Sequence, residues 1–114
     1  MMFEEVHPGR VLREELAARS LSAAAFALKL RVAPQRIQEI VAGRRGISPE
    51  TALRLGRFFG NEPEFWLSMQ ASHDLAMLRK QMGDMAGAQR DQAAALALAQ
   101  EYKPARNALQ DGKS

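Results

Sequence analysis

Apolar positions along this chain recur three and four residues apart, and each run is bracketed by residues that start or stop helices. Pro8 can open a first helix to about residue 19, with Val11, Leu12 and Leu16 inward. Ser22 is a favourable N-cap for a short second helix reaching Leu30, which would bury Phe26, Ala27 and Leu30. After Arg31, Val32 and Ala33, Pro34 sits at the first position of a third helix. Ile37, Ile40 and Val41 form its apolar stripe, and Gly43 ends it. Ser48-Pro49-Glu50 combines a cap, a first-turn proline and an acid at the positive end of the helix dipole. The fourth helix that it starts places Ala52, Leu55 and Phe59 inward and stops at Gly60. A fifth opens at Pro63 and carries Phe65, Trp66, Leu67, Met69, Leu75 and Leu78 to about Met82.

Residues 83–87 read as a break. Residues 88–101 are rich in alanine and glutamine and helical by propensity. Their apolar face is thin, with Leu96, Leu98 and Tyr102 its large members, and Pro104 stops the run. No stretch alternates apolar and polar residues while rich in β-branched ones. The expected fold is therefore all-α, with five helices in residues 1–82 and an alanine-rich helical extension in residues 83–114. The pattern leaves open whether the extension docks on its own domain, binds a partner or packs poorly.

At 114 residues the chain suits one domain. Its net charge of +3 is mild, but unevenly spread. Residues 29–57 hold Lys29, Arg31, Arg36, Arg44, Arg45, Arg54 and Arg57 against only Glu39 and Glu50, and the segments on either side are slightly acidic. A basic block between acidic ones points to a local anionic partner; a solvated basic face is the alternative. Cysteine is absent, which excludes disulfides, thiolate metal sites and cysteine nucleophiles. The first residues lack the basic start and apolar run of a signal peptide, and no window resembles a membrane span, so a soluble cytoplasmic protein is expected.

Catalytic chemistry finds no foothold. His7 and His73 are far apart in sequence with no second ligand at helical spacing, so structural roles are expected and no metal or other cofactor. Ser22 has no base at a useful spacing. Gly43-Arg44-Arg45-Gly46 lacks the strand and lysine of a phosphate-binding loop. The expectation is a protein that is not an enzyme.

Two short helices joined by a three-residue turn are what a helix-turn-helix requires. Small Ala27 stands where the helices approach, Ile37 follows ten residues later and Ile40 three after that. An ordinary helical hairpin could share these offsets. If the motif holds, Gln35, Gln38 and Glu39 face the major groove, with Arg36 and Ala42 at the margins. Glutamine can bind adenine, arginine guanine, and glutamate can accept from cytosine. Arg44 and Arg45 beyond the helix, and Ser22 at the start of the brace helix, are candidates for phosphate contact.

The run Phe65-Trp66-Leu67 cannot face one core from one helix, because successive residues lie about 100° apart. A twofold partner would cover the excess, with Phe65, Trp66 and Met69 at the dimer interface. The first helix and the tail could instead cover it within one chain.

Residues 7–75 resemble the HigA-type antitoxins of the Xre helix-turn-helix family. The resemblance rests on His7-Pro8-Gly9 with Leu12, on Leu21-Ser22, and on Gln35-Arg36-Ile37-Gln38-Glu39-Ile40-Val41. It continues through Gly43-Arg44-Arg45-Gly46-Ile47-Ser48, Thr51-Ala52-Leu53-Arg54-Leu55 and Pro63-Glu64-Phe65-Trp66-Leu67. It implies a five-helix fold of the lambda-repressor type and a homodimer on a palindromic operator in double-stranded DNA. It also implies autorepression of a toxin–antitoxin operon and neutralisation of a RelE-like mRNA endonuclease. Three positions depart from the pattern. Arg31 replaces the usual turn glycine, where a left-handed residue costs on the order of 1 kcal/mol. Ala23 replaces a glutamine that reaches DNA, and Ala33 a polar residue or proline. A solitary regulator without a toxin, or an interaction module with weakened DNA binding, are the rival expectations.

Overall fold

The computed structural model describes residues 7–101. Six helices and no strand occur among them: α1 (Pro8–Ala18), α2 (Ala23–Leu30), α3 (Pro34–Val41), α4 (Pro49–Phe59), α5 (Pro63–Gln81) and α6 (Met85–Glu101). The all-α class and the five-helix unit with a helical extension are as expected from the sequence. No helix among the described residues is long and apolar enough to cross a membrane.

The helix starts follow local chemistry. Ser22 Oγ accepts from the Ala25 N–H at 3.0 Å, and Ser48 Oγ from the Thr51 N–H at 3.2 Å. His7 caps α1 through Nδ1, which accepts from the Gly9 N–H at 2.9 Å. The ends share one device, a left-handed residue followed by an N–H bond five residues back. Gly43, Gly60 and Gly83 supply it at α3, α4 and α5. Ser20 and Arg31 supply it without being glycine, with φ of 56° and 62°. In the turn between α2 and α3, Val32 N–H bonds the Ala27 carbonyl at 3.0 Å. The turn thus keeps the glycine-type geometry, and Arg31 carries the strain.

The core joins Leu12 and Leu16 of α1, Phe26 and Ala27 of α2, Ile37 and Ile40 of α3, Leu55 and Phe59 of α4, and Trp66 and Met69 of α5. Each of the large aliphatic and phenylalanine side chains contributes roughly 1.5–3 kcal/mol of burial. The α1 and α3 backbones approach so closely at Gly9 that a Cβ there would run into the Ile40 carbonyl. One ion pair is buried with the core: Arg19 meets Glu15 at 2.6 Å, and its guanidinium carbon lies 4.9 Å from the Phe59 ring centre.

Two expectations are corrected. Trp66 and Met69 are both 0 % exposed within the single chain, so they have no surface to offer a dimer partner. Trp66 sits against Phe59 and Phe65 and donates from Nε1 to Asn61 Oδ1 at 3.2 Å. Only Phe65, half-buried, retains some surface. Leu75 and Leu78, for which the sequence set no facing, point outward. The buried face of α5 runs through Trp66, Met69 and Ala76, which turns the two leucines outward. Second, the break after α5 is short, because α6 starts at Met85, inside residues 83–87. The extension docks along α5 through Gly87, Ala88, Gln92 and Ala95, and Ala95 joins the main core. Leu96 of its expected apolar face is 38 % exposed, and Tyr102 lies outside the described residues.

Candidate nucleic-acid interface

Helices α2 and α3 form a hairpin in which Ala27, Ile37 and Ile40 are all fully buried. Seating that stripe against α2 and α1 turns the opposite face of α3 outward. Gln35 and Gln38 are exposed there, with Arg36 and Glu39 half-buried beside them. Two side chains from elsewhere fix the hairpin in place, one at α3 and one at α2. Arg13 of α1 donates from Nη1 to the Val41 carbonyl at 3.3 Å, at the negative end of α3. Arg54 of α4 donates from Nη1 to the Leu30 carbonyl at 2.7 Å, at the end of α2.

The outward face is internally knitted. Gln35 Nε2 donates to Glu39 Oε2 at 2.9 Å, and Arg45 Nε donates to Glu39 Oε1 at 2.8 Å. Hydrogen bonds from Arg45 first, then Gln35, hold the Glu39 carboxyl below the usual carboxylate range. With both oxygens engaged, Glu39 ties the first turn of α3 to the loop beyond its end. Arg36 leans toward α4 and meets Glu50 at 3.4 Å, while Arg54 holds the other Glu50 oxygen at 3.0 Å. The Arg54 hydrogen bond, then the charge of Arg36, lowers the Glu50 carboxyl. Gln38 and Arg44 make no side-chain hydrogen bond among the described residues and stand free for a partner. Ser22 spends its oxygen as a cap and keeps its O–H to donate.

Structure therefore gathers Gln35, Arg36, Gln38, Glu39, Arg44 and Arg45 on and beside α3, with Ser22 at the start of α2. Phe65, Trp66 and Met69 belong to the core side of the molecule.

Sequence reasoning missed the residues that position the loop. Gln70 of α5 accepts from the Ile47 N–H at 2.8 Å, and its amide packs against Gly46, where a Cβ would lie 3.1 Å away. Gln70 in turn donates to Asp74 at 3.0 Å. Nothing in the local pattern marks this bond, since it joins residues 23 apart. His7 and His73, distant in sequence, meet edge-to-face with ring centroids 4.9 Å apart. Burial, then the charge of His73, pushes the His7 imidazole down from 6.5, against a raising effect of Asp74. Among the described residues no group of three or more His, Asp or Glu could hold a metal ion.

The HTH_3 helix-turn-helix family profile matches residues 12–66. The chain is 53 % identical over 73 residues to "Virulence-associated protein I" of Dichelobacter nodosus, covering 63 % of this chain and 68 % of that one. Among solved structures it is similar to an addiction module antidote protein of the HigA family from Coxiella burnetii. The TM-score is 0.68 with 41 % identity, covering 71 % of this chain and 89 % of that one. It is also similar to the Pseudomonas aeruginosa antitoxin HigA, solved with the higBA promoter. There the TM-score is 0.68 with 37 % identity, over 73 % of this chain and 91 % of that one.

Proposed function

This chain belongs to the HTH_3 helix-turn-helix family, within its HigA-type group, and from that premise we propose that it is a DNA-binding antitoxin and autorepressor. As a homodimer in the cytoplasm it binds a palindromic operator in double-stranded DNA, represses a toxin–antitoxin operon and neutralises a RelE-like mRNA endonuclease. The observation that carries this proposal is the outward face of α3, polar throughout and flanked by arginines at its loop end. Gln38, free and exposed, reads a base edge, and Gln35 and Arg36 do so once drawn from Glu39 and Glu50. Glu39 orders Gln35 and Arg45 before DNA arrives and accepts from a base after they turn to the duplex. Arg44, Arg45 and the Ser22 hydroxyl meet phosphates and set the register. The similar HigA solved with a promoter supports this assignment.

For the dimer, the exposed stripe of Leu75 and Leu78 on α5 and Met82 at its C-cap, with Met85 beside it, is the better candidate surface. Residues 1–82 then act as the DNA-binding and dimerisation domain, and residues 83–114 as the extension, whose α6 braces α5.

The test is anisotropy of the purified protein on DNA from its own upstream region at several salt concentrations. An Arg44→Ala/Arg45→Ala variant should lose about 0.9 of the logarithmic salt slope per phosphate contact removed. Gln38→Ala should cost about 1–3 kcal/mol on the operator and nothing on unrelated DNA. Equal, feeble binding by wild type and variants at every salt concentration would remove the repressor assignment.

A further inference from the structure

A second cationic feature lies between the end of α2 and α4. Lys29, Leu30 and Arg31 at the end of α2, with Arg54, Arg57 and Phe58 of α4, line one open cleft of about 390 Å³. Such a volume falls within the roughly 300–1,000 Å³ of small-molecule sites. Three arginines and a lysine converge there on a wall formed by Leu30 and Phe58. Arg54 is committed: Nη1 bonds the Leu30 carbonyl, and Nε and Nη2 bond Glu50. It pins α4 to α2 and so shapes the cleft. Lys29, Arg31 and Arg57 have no ion-pair partner among the described residues, and all three are exposed. Charges of one sign held together without counter-charges make a standing attraction for an anion.

The free cations of the cleft are not the residues assigned to the operator. Ser22 is at the opposite end of α2, about 12 Å away at 1.5 Å per residue. Glu50, which meets Arg36 of α3, lies two turns before Arg57 along α4. Glu50, shared by Arg36 and Arg54, joins the cleft to the α3 face. The fixed donor forks of Arg31 and Arg57 favour phosphate, whose oxygens accept paired N–H bonds.

We propose that this cleft is a binding site for a phosphate-bearing small ligand, of nucleotide size, held by cations other than those assigned to DNA. Lys29, Arg31 and Arg57 hold the phosphates, and Leu30 with Phe58 gives the remainder of the ligand an apolar wall.

The test uses calorimetric titration of the full chain, without DNA, with sodium tripolyphosphate and with ATP at constant ionic strength. Wild type should bind saturably, and the Arg44→Ala/Arg45→Ala variant should match it. Lys29→Ala/Arg57→Ala should weaken binding at least tenfold. Arg31→Gly is the second variant, because it removes a cation while relieving the left-handed strain; binding should weaken while Tm rises. Equal affinity for both probes means the phosphate chain alone is read, and tighter ATP means the apolar wall contributes. The proposal is overturned by the absence of saturable binding, or by loss in the Arg44→Ala/Arg45→Ala variant in place of the Lys29→Ala/Arg57→Ala one. It is also overturned if a glutamate-rich peptide binds the cleft and neither phosphate probe does. Because DNA is absent, failure here leaves the operator assignment untouched.

Discussion

The α2–α3 pair and the α5–α6 pair are both helical hairpins, yet opposite means hold them together. Between α2 and α3, branched and aromatic side chains interlock: Phe26, Ile37 and Ile40, all fully buried, close over Ala27. Between α5 and α6 the seam is made of Ala76, Gly87, Ala88 and Ala95, so the helices are held by closeness of approach. At Gly87 even a Cβ would run into the Asp84 carboxylate. Arg79 ties that end together, meeting Asp84 at 3.1 Å and Asp91 at 2.7 Å. Large interlocking side chains specify a hairpin strongly and leave a polar outer face free for function. A small-residue seam buries little area per residue, and here it leaves Leu75 and Leu78 of α5 and Met82 at its C-cap in solvent.

Substitutions can break each half of this contrast. The largest effect belongs to the interlocked core: Trp66→Ala should cost about 3–5 kcal/mol, read by chemical denaturation, because it opens a cavity beside Phe59. A loss below 1 kcal/mol would mean that the core does not depend on it. In the small-residue seam the sensitive direction is reversed. Ala95→Leu should destabilise by about 1–3 kcal/mol through overpacking, and protection of α6 amides from hydrogen exchange should fall before that of α2 and α3. If the larger side chain is accepted without loss, the seam is looser than its burial indicates. Arg31→Gly works on the α2–α3 turn alone and should stabilise by about 1 kcal/mol, raising Tm; no change would mean that Arg31 bears no strain.

The smallest effect is titratable. Because the fold pushes the His7 imidazole below 6.5, the unfolded chain takes up its proton first. This contribution is complete above pH 6.5 and is lost as pH falls through 6.5 toward the folded value. Protonation would also remove the Nδ1 acceptor that caps α1. Stability measured between pH 7.5 and 5 should decline in wild type and decline less in His7→Ser, which keeps a capping oxygen. Parallel curves would assign the decline to another group.

Much of the first five helices was legible because their signals are local. Ser22, Ser48, Pro34, Pro63, Gly43 and Gly60 each act within a few residues of where they stand, and they marked helix boundaries that the structure keeps. The polar face of α3 followed from the same periodicity, since burying Ile37 and Ile40 leaves Gln35 and Gln38 outside. Arg31 was marked as a departure at the turn, and its left-handed backbone bears the consequence.

What was not legible depends on residues brought together over long separations. Trp66 was placed at a partner's surface because three consecutive apolar residues exceed what one helix face can bury; α4 and the loop residue Asn61 surround it from another direction. Leu75 and Leu78 have helical spacing, but spacing does not say which side of α5 the core lies on. The Gln70 bond to Ile47, the bracing of α3 by Arg13, and the meeting of His7 with His73 leave no local trace.

Local sequence thus established where helices begin and end, which stripe of each short helix is apolar, and that positive charge gathers around α3. Backbone capping and 3.6-residue periodicity act over a single turn, so a linear pattern can express them. Packing alone settled that Trp66 is internal, that α6 closes against α5, that Glu39 binds Gln35 and Arg45 together, and that Lys29, Arg31 and Arg57 share one cleft. Those outcomes depend on the orientation of whole helices, which is set by the sum of many weak contacts and appears in no single segment of the chain.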